Sequence, residues 1–284
     1  MYNERRILEE NMSEPIHLLF SFNKNYIKPF QVLITSLLTN NPNEKFHVWL
    51  LHSDIHDDHL DSLLLDADPT MIELTDIKVD SSVFEQAHIT NRYPQQMYYR
   101  LFAPQFLPKE LKKVLYLDPD ILIINPIREL WEIDLKENAF AAANHSGLTD
   151  IMNTVNRIRL NTDHDYFNTG VMLMDLDKAR DIIDPQDIFK IVNESKLELF
   201  LPDQDVFNHL YGKYTLDLDE TIWNYDARYF QQYRLRSNGE MNLDWVIENT
   251  AILHFCGKQK PWHKNYSAKF GSLYKHYMHK TNFK

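Results

Sequence analysis

Asp118 and Asp120 close the apolar run Lys113-Val114-Leu115-Tyr116-Leu117, with only Pro119 between them. Such a run reads as a short buried strand, and residues two apart on a strand point to one face, so the two carboxylates are expected to converge. Pro119 fixes its own φ and biases Asp118 toward extended backbone, which would hold the pair without a glycine-rich loop. Two hard oxygen ligands suit Mg²⁺ or Mn²⁺, and Mg²⁺ usually shares such carboxylates with substrate phosphates. Four further strings carry groups of chemical interest: Phe167-Asn168-Thr169-Gly170-Val171, Asp203-Gln204-Asp205, His254-Phe255-Cys256-Gly257 and Lys260-Pro261-Trp262-His263. Each has a plainer reading by itself. The acidic pair is also a solvated turn, His254 a core imidazole bonded to backbone, Asn168 to Gly170 a turn entering a strand, and Asp203 to Asp205 an acidic helix start.

These side chains need a frame. Residues 16–22 read as a first buried strand that ends at the polar Asn23-Lys24-Asn25, and Phe30, Leu33, Ile34, Leu37 and Leu38 then recur at helical spacing until Asn40-Asn41-Pro42-Asn43 stops them. Strands follow over 46–51 and 71–77 with a helix over 56–65 between them. A helix over 95–106 leads into the strand before Asp118, and later strands cover 140–143, 167–176 and 251–255. Helices are expected over 187–196 and 204–211, and the polar stretch 144–166 as an active-site loop. This alternation predicts an α/β fold with a mostly parallel central sheet flanked by helices on both faces. Ligands of open α/β sheets bind beyond the carboxyl ends of the strands, where Asn23, Asn25, Asp118, Asp120, Asn144, His145 and His254 all fall.

Composition narrows the function. A chain of 284 residues with 44% hydrophobic content can bury a full core. Its six glycines form no G-x-G-x-x-G or P-loop pattern, so a metal and side chains would have to offset any phosphate charge. A net charge of −11 argues against nucleic acid as a partner. The charge is uneven: from Ala251 onward there are seven lysines and no acid, which leaves −18 on the rest. Those lysines alternate with Trp262, Tyr266, Phe270, Tyr274 and Tyr277, a pattern for a peripheral contact with an anionic membrane or acceptor, or for a terminal helix packing its aromatics on the domain. With a charged start, no apolar run of about 18 residues and the single Cys256, the expectation is a cytoplasmic protein, peripheral at most to the inner face of the cell membrane. The expected layout is an N-terminal extension over 1–14, a catalytic domain over 15–257 and a basic aromatic tail over 258–284.

In their order and spacing the strings resemble glycosyltransferase family 8, over about residues 16–263. The resemblance implies the GT-A nucleotide-diphospho-sugar transferase fold. It also implies a retaining transferase that moves glucose or galactose from a UDP-hexose to a saccharide, lipid-linked or polyol hydroxyl, with Mn²⁺ or alternatively Mg²⁺. Residue by residue, it implies Asp118, Asp120 and His254 as metal ligands, with Gly257 and Lys260 at the diphosphate. Ser21, Phe22, Asn23, Asn25 and Tyr26 form the nucleotide end, where Tyr26 would stack on the base. Arg100 and Pro119 fall beside the donor and His145 on its sugar side, with Asn168, Asp203 and Gln204 as the catalytic group around the transferred sugar. Asn23 stands where many relatives have an acid, and His145 where they often have aspartate. An amide is a poor nucleophile, so Gln204 implies acceptor attack from the leaving-group side, a diphosphate oxygen taking the proton. Two alternatives stand beside this reading. Asp118-Pro119-Asp120-Ile121-Leu122 also resembles the aspartyl motif of haloacid dehalogenase phosphohydrolases, and the fold could persist in a noncatalytic stress or scaffold protein.

Overall fold

Leu18 and Phe20 face one side of β1 (Ile16–Ser21) and Leu19 the other, and all three are wholly buried, so this strand has to lie inside a sheet covered twice. The computed structural model, which describes residues 14–80, 82, 98–144, 150–194 and 199–283, places it there. β1 pairs in parallel with β2 (Phe46–His52) on one side and with β4 (Lys113–Leu117) on the other, and β2 pairs in parallel with β3 (Ile72–Lys78). β5 (Ile121–Ile123) leaves this sheet. β6 (Phe140–Asn144) and β7 (Phe167–Asp175) return to it, β7 running antiparallel to both β4 and β6, and β8 (Thr215–Leu218) adds to β6 in parallel. The order is β3-β2-β1-β4-β7-β6-β8. β9 (Tyr225–Asp226) and β10 (Ile252–His254) join β5 in a second sheet of three strands.

Helix α1 (Ile27–Asn40) covers one face of the main sheet with Phe30, Leu33, Ile34 and Leu37. The opposite face takes Leu101 and Phe102 of α2 (Tyr99–Phe106) and Val206 and Phe207 of α4 (Pro202–Tyr211), α3 (Asp150–Leu160) lying between these in sequence. This is the mixed α/β architecture expected from the alternating pattern. Residues 1–13 and 95–97 lie outside the described residues. The helix expected over 56–65 is one turn, Asp57–Leu60, followed by turns in which Leu65 takes φ 58°. The strand expected over 167–176 ends at Asp175, because that carboxylate accepts Lys178 N–H and caps the helix Leu176–Ile182. The polar stretch 144–166 contains α3 and is not a continuous loop.

The basic C-terminal segment is built into the protein. Phe270, Tyr274 and Tyr277, along or next to α5 (Gly271–Lys280), are buried with Leu253, Phe255 and Tyr225 in a third core, with Trp262 and Tyr266 packed against it. Asn40 Nδ2 donates to Tyr277 Oη at 2.8 Å and ties α5 to α1. The rings expected at a membrane interface are therefore used in packing. Among the described residues, no helix is long and apolar enough to cross a membrane.

At the amino ends of the strands, His17 and His47 lie in register on β1 and β2, their rings 5.4 Å apart. Burial, and for His17 also the neighbouring His47, lowers both imidazole pKa values, although Glu14 and Glu73 act in the opposite direction. A depressed folded-state pKa means that the unfolded chain binds the extra proton first, so this pair's contribution is complete above about pH 6.5 and is lost as pH falls. The urea midpoint is expected to drop between pH 7 and pH 5. The drop should be shallower in the His17→Gln, His47→Gln double variant, and equal slopes would remove the pair from the account.

Candidate active site

β4 stops at Leu117, so Asp118 and Asp120 lie in the turn that carries the chain from the main sheet to β5. Their convergence comes from this turn and not from strand alternation. Asp118 N–H donates to Gly170 O at 2.7 Å and stays attached to β7, whereas Asp120 O accepts Phe255 N–H at 3.0 Å and is held to the end of β10. β5 pairs antiparallel with β10, placing His254 opposite Ile121. The imidazole Nε2 stands 3.4 Å from Asp120 Oδ1 and 3.8 Å from Asp118 Oδ2, and one ligand atom from each of the three residues lies within 4.8 Å of the others. Gly170 floors the cluster: a Cβ there would come within 2.3 Å of His254 Cε1. Two carboxylate oxygens and an imidazole nitrogen around one point fit a divalent cation.

Arg100 on α2 joins three of the strings. Its Nη2 is 2.9 Å from Asp118 Oδ1, its Nη1 donates to Thr169 O at 3.0 Å, and its Nε is 3.4 Å from Asp203 Oδ2. The guanidinium lies over the Tyr116 ring, and Tyr116 Oη in turn donates to Asp118 Oδ1 at 2.7 Å. Burial opposes the Arg100 charge, but Asp118, Tyr116 and Asp203 outweigh it and raise its pKa. Burial likewise pushes the Asp203 carboxyl up, with Arg100 acting against that shift. Gln204 Oε1 is 3.4 Å from Thr169 N–H, which brings the 203–205 string against the 168–170 string.

On the other flank, Lys260 Nζ pairs with Asp120 and donates to Phe255 O at 2.9 Å. Burial works against the Asp120 charge, but His254 and Lys260 more than offset it and hold the carboxyl well below its usual range. Gly257 takes φ 85°, a conformation that favours glycine, and a Cβ there would meet Arg228 Nη1 at 2.8 Å. Arg228 is itself clamped by the wholly buried Asp226. Tyr26, at the end of the 3₁₀ turn Lys24–Tyr26, stands edge-on to Trp262 at 5.9 Å. Asn23 Oδ1 caps that turn by accepting Asn25 N–H at 3.0 Å, a task that an amide performs as well as an acid.

Thus the structure gathers Asp118, Pro119, Asp120, Arg100, Asn168, Asp203, Gln204, His254 and Lys260 at one edge, with Ser21 reaching it through a 3.5 Å contact to Tyr116 Oη. Phe22 instead packs its ring on Phe30 in the core, at 5.0 Å. His145 lies outside the described residues. Sequence reasoning assigned no site role to Tyr116, Arg228 or the paired Arg159 and Asp205. Asp205 is wholly buried, takes Arg159 at 2.7 Å and Tyr166 Oη at 2.6 Å, and so fixes α3 beside the start of α4. Asn224, between Trp223 and Tyr225, belongs to none of the strings from which the site was read.

The profile of Glycosyl transferase family 8 matches residues 17–266. General stress protein A of Bacillus subtilis (strain 168) is 26% identical over 276 residues, covering 95% of each chain. Lipopolysaccharide 1,2-glucosyltransferase of Escherichia coli (strain K12) is 28% identical over 265 residues, which is 91% of this chain and 76% of that protein. Among solved structures, the galactosyltransferase LgtC in complex with donor and acceptor sugar analogs superposes with a TM-score of 0.75 over 94% of this chain and 96% of that one, at 19% identity, and so shows the shared GT-A fold. The chain belongs to glycosyl transferase family 8.

Proposed function

We propose that this chain transfers glucose or galactose from a UDP-hexose to a hydroxyl of a saccharide, lipid-linked or polyol acceptor, with retention of anomeric configuration. The observation that carries the reading is the meeting of Asp118, Asp120 and His254 beside Lys260 at the strand ends. Mn²⁺, with Mg²⁺ as the alternative, would be held by Asp118, Asp120 and His254 and would offset the charge of the diphosphate. Lys260 would turn from Asp120 to the leaving phosphate and stabilise the charge that accumulates there. Tyr26 offers a face to the uracil, Asn25 a polar group beside it, and Asp203 and Asn168 bind sugar hydroxyls. The Gln204 amide oxygen faces Thr169 N–H and is a weak nucleophile, which supports attack by the acceptor hydroxyl from the side of the leaving group. The acceptor oxygen bonds to the anomeric carbon as the bond to UDP breaks, and its proton passes to a diphosphate oxygen.

Membership of the family leaves no place for the aspartyl phosphohydrolase alternative. A noncatalytic scaffold is separated by assay. Calorimetry with UDP is expected to show binding with Mn²⁺ and none in EDTA, and the anomeric proton coupling of the product is expected to be that of an α-linkage. Equal UDP affinity in both conditions would remove the metal site from the reading, a β-linked product would remove retention, and binding without transfer or donor hydrolysis would favour the scaffold.

A further inference from the structure

We infer that Asn224 is the positioning residue that selects the tautomer of His254, and that it does so through a chain of side-chain amides beginning at a backbone N–H. The Gly170 N–H can only donate, and it donates to Asn168 Oδ1 at 2.9 Å. The same oxygen receives Asn224 Nδ2 at 3.0 Å. With its nitrogen committed there, the Asn224 amide turns its oxygen to the opposite side, where Oδ1 stands 2.8 Å from His254 Nδ1. An amide oxygen only accepts, so the hydrogen sits on Nδ1 of His254. Nε2 is then the nitrogen turned to Asp118 and Asp120, the one that must offer a lone pair if a cation is to be bound.

Three features make this arrangement more than incidental packing. Asn224 is wholly buried, so water does not compete for either of its bonds. Its backbone is fixed too, its N–H donating to Glu220 O at 3.2 Å as the helix Glu220–Trp223 ends, immediately before β9 pairs with β10. And the amide chain starts at Gly170, whose missing side chain makes room for the His254 ring, so one short segment of β7 sets both the position and the protonation pattern of that ring. The Asn168 and His254 strings, far apart in sequence, are in this sense one device with Asn224 as its middle member. Asn224 bonds to His254 through the nitrogen remote from the carboxylates and acts only through that residue.

The inference rests on the reading of Asp118, Asp120 and His254 as cation ligands, and the experiment separates the two. The full chain, free of nucleotide, is titrated with Mn²⁺ alone and free ion is followed by electron paramagnetic resonance. Loss of an outer partner of a ligating histidine typically costs about 10–100-fold in metal affinity, and Asn224→Ala is expected to fall in that range. Asn168→Ala leaves Asn224 present but unoriented, and is expected to lose affinity in the same direction by a smaller factor. It also carries the test if Asn224→Ala fails to fold. Long-range ¹H–¹⁵N spectra of the Mg²⁺-loaded protein, with His254→Asn to assign the ring, should show the Nδ1–H tautomer in the parent and a mixture in the variants, a change that a merely structural role would not produce. Parent affinity for Mn²⁺ in a folded Asn224→Ala, or in Asn168→Ala where the first does not fold, would overturn the role of Asn224 alone. A parent chain that takes up no Mn²⁺ would overturn the cation reading and this role together.

Discussion

Arg100→Ala is expected to cost about 3–5 kcal/mol of stability at pH 8, the range found when one partner of a buried ion pair is removed. The loss follows from what stays behind. Asp203 is buried and has Arg100 as its counter-charge, Asp118 loses a 2.9 Å partner, and the Thr169 carbonyl loses its donor. The cost should depend on pH with a definite sign. Burial already raises the Asp203 pKa, and without Arg100 it rises further above the unfolded value. A raised folded-state pKa stabilises at low pH and is lost as pH rises, so urea unfolding should find Arg100→Ala less damaged at pH 5 than at pH 8. Arg100→Lys should recover less than half of the loss, because a single ammonium cannot reach Asp118, Thr169 and Asp203 together. A variant within about 1 kcal/mol of the parent at pH 8 would show that the three strings are held by something else.

Gly170→Ala is expected to lose transfer by about 100-fold or more, the scale on which a misplacement of about 1 Å acts, while costing only about 1–3 kcal/mol in stability. The backbone is not the obstacle, since Gly170 lies on β7 and is not among the described glycines with positive φ. The obstacle is space. The added methyl would stand 2.3 Å from His254 Cε1, 2.8 Å from Asp118 Oδ2 and 3.0 Å from Asn168 Oδ1, and all three side chains are fixed from behind, by Asn224, Arg100 and Gly170 N–H respectively. Something in the cluster must therefore move. Steady-state transfer and Mn²⁺ titration on the same preparation would check this, and parent values in both would mean that the cluster is softer than its hydrogen bonds imply.

The buried strands were readable because their residues are apolar on both faces, as at Leu18, Leu19 and Phe20, and the edge they share followed from ligand binding at strand ends. What was not readable depends on partners distant in sequence. Asp118 and Asp120 do converge, but through the turn into β5 and its pairing with β10, which no local pattern announces. α3 escaped because it lies within the mostly polar stretch 144–166. Val155 and Ile158 are 47% and 77% exposed, and the helix is tied down by Arg159 to Asp205. The C-terminal helix did carry a signal, since Tyr266, Phe270, Tyr274 and Tyr277 are spaced four, four and three apart, the spacing of one helix face. Asn224 had no signal of its own, because an asparagine between aromatic residues acquires meaning only when its two bonding partners are known.

The pairing of β5 with β10 also orders events during synthesis. Asp118 and Asp120 leave the ribosome long before His254 and Lys260 have been made, and the turn between them is locked only when Phe255 N–H reaches Asp120 O. Domains generally fold as units, so the central strands and the clasp are expected to settle together once the C-terminal part has emerged. A prematurely ended chain would then lack both the strand that closes on β5 and the two groups, His254 and Lys260, that meet the acidic pair.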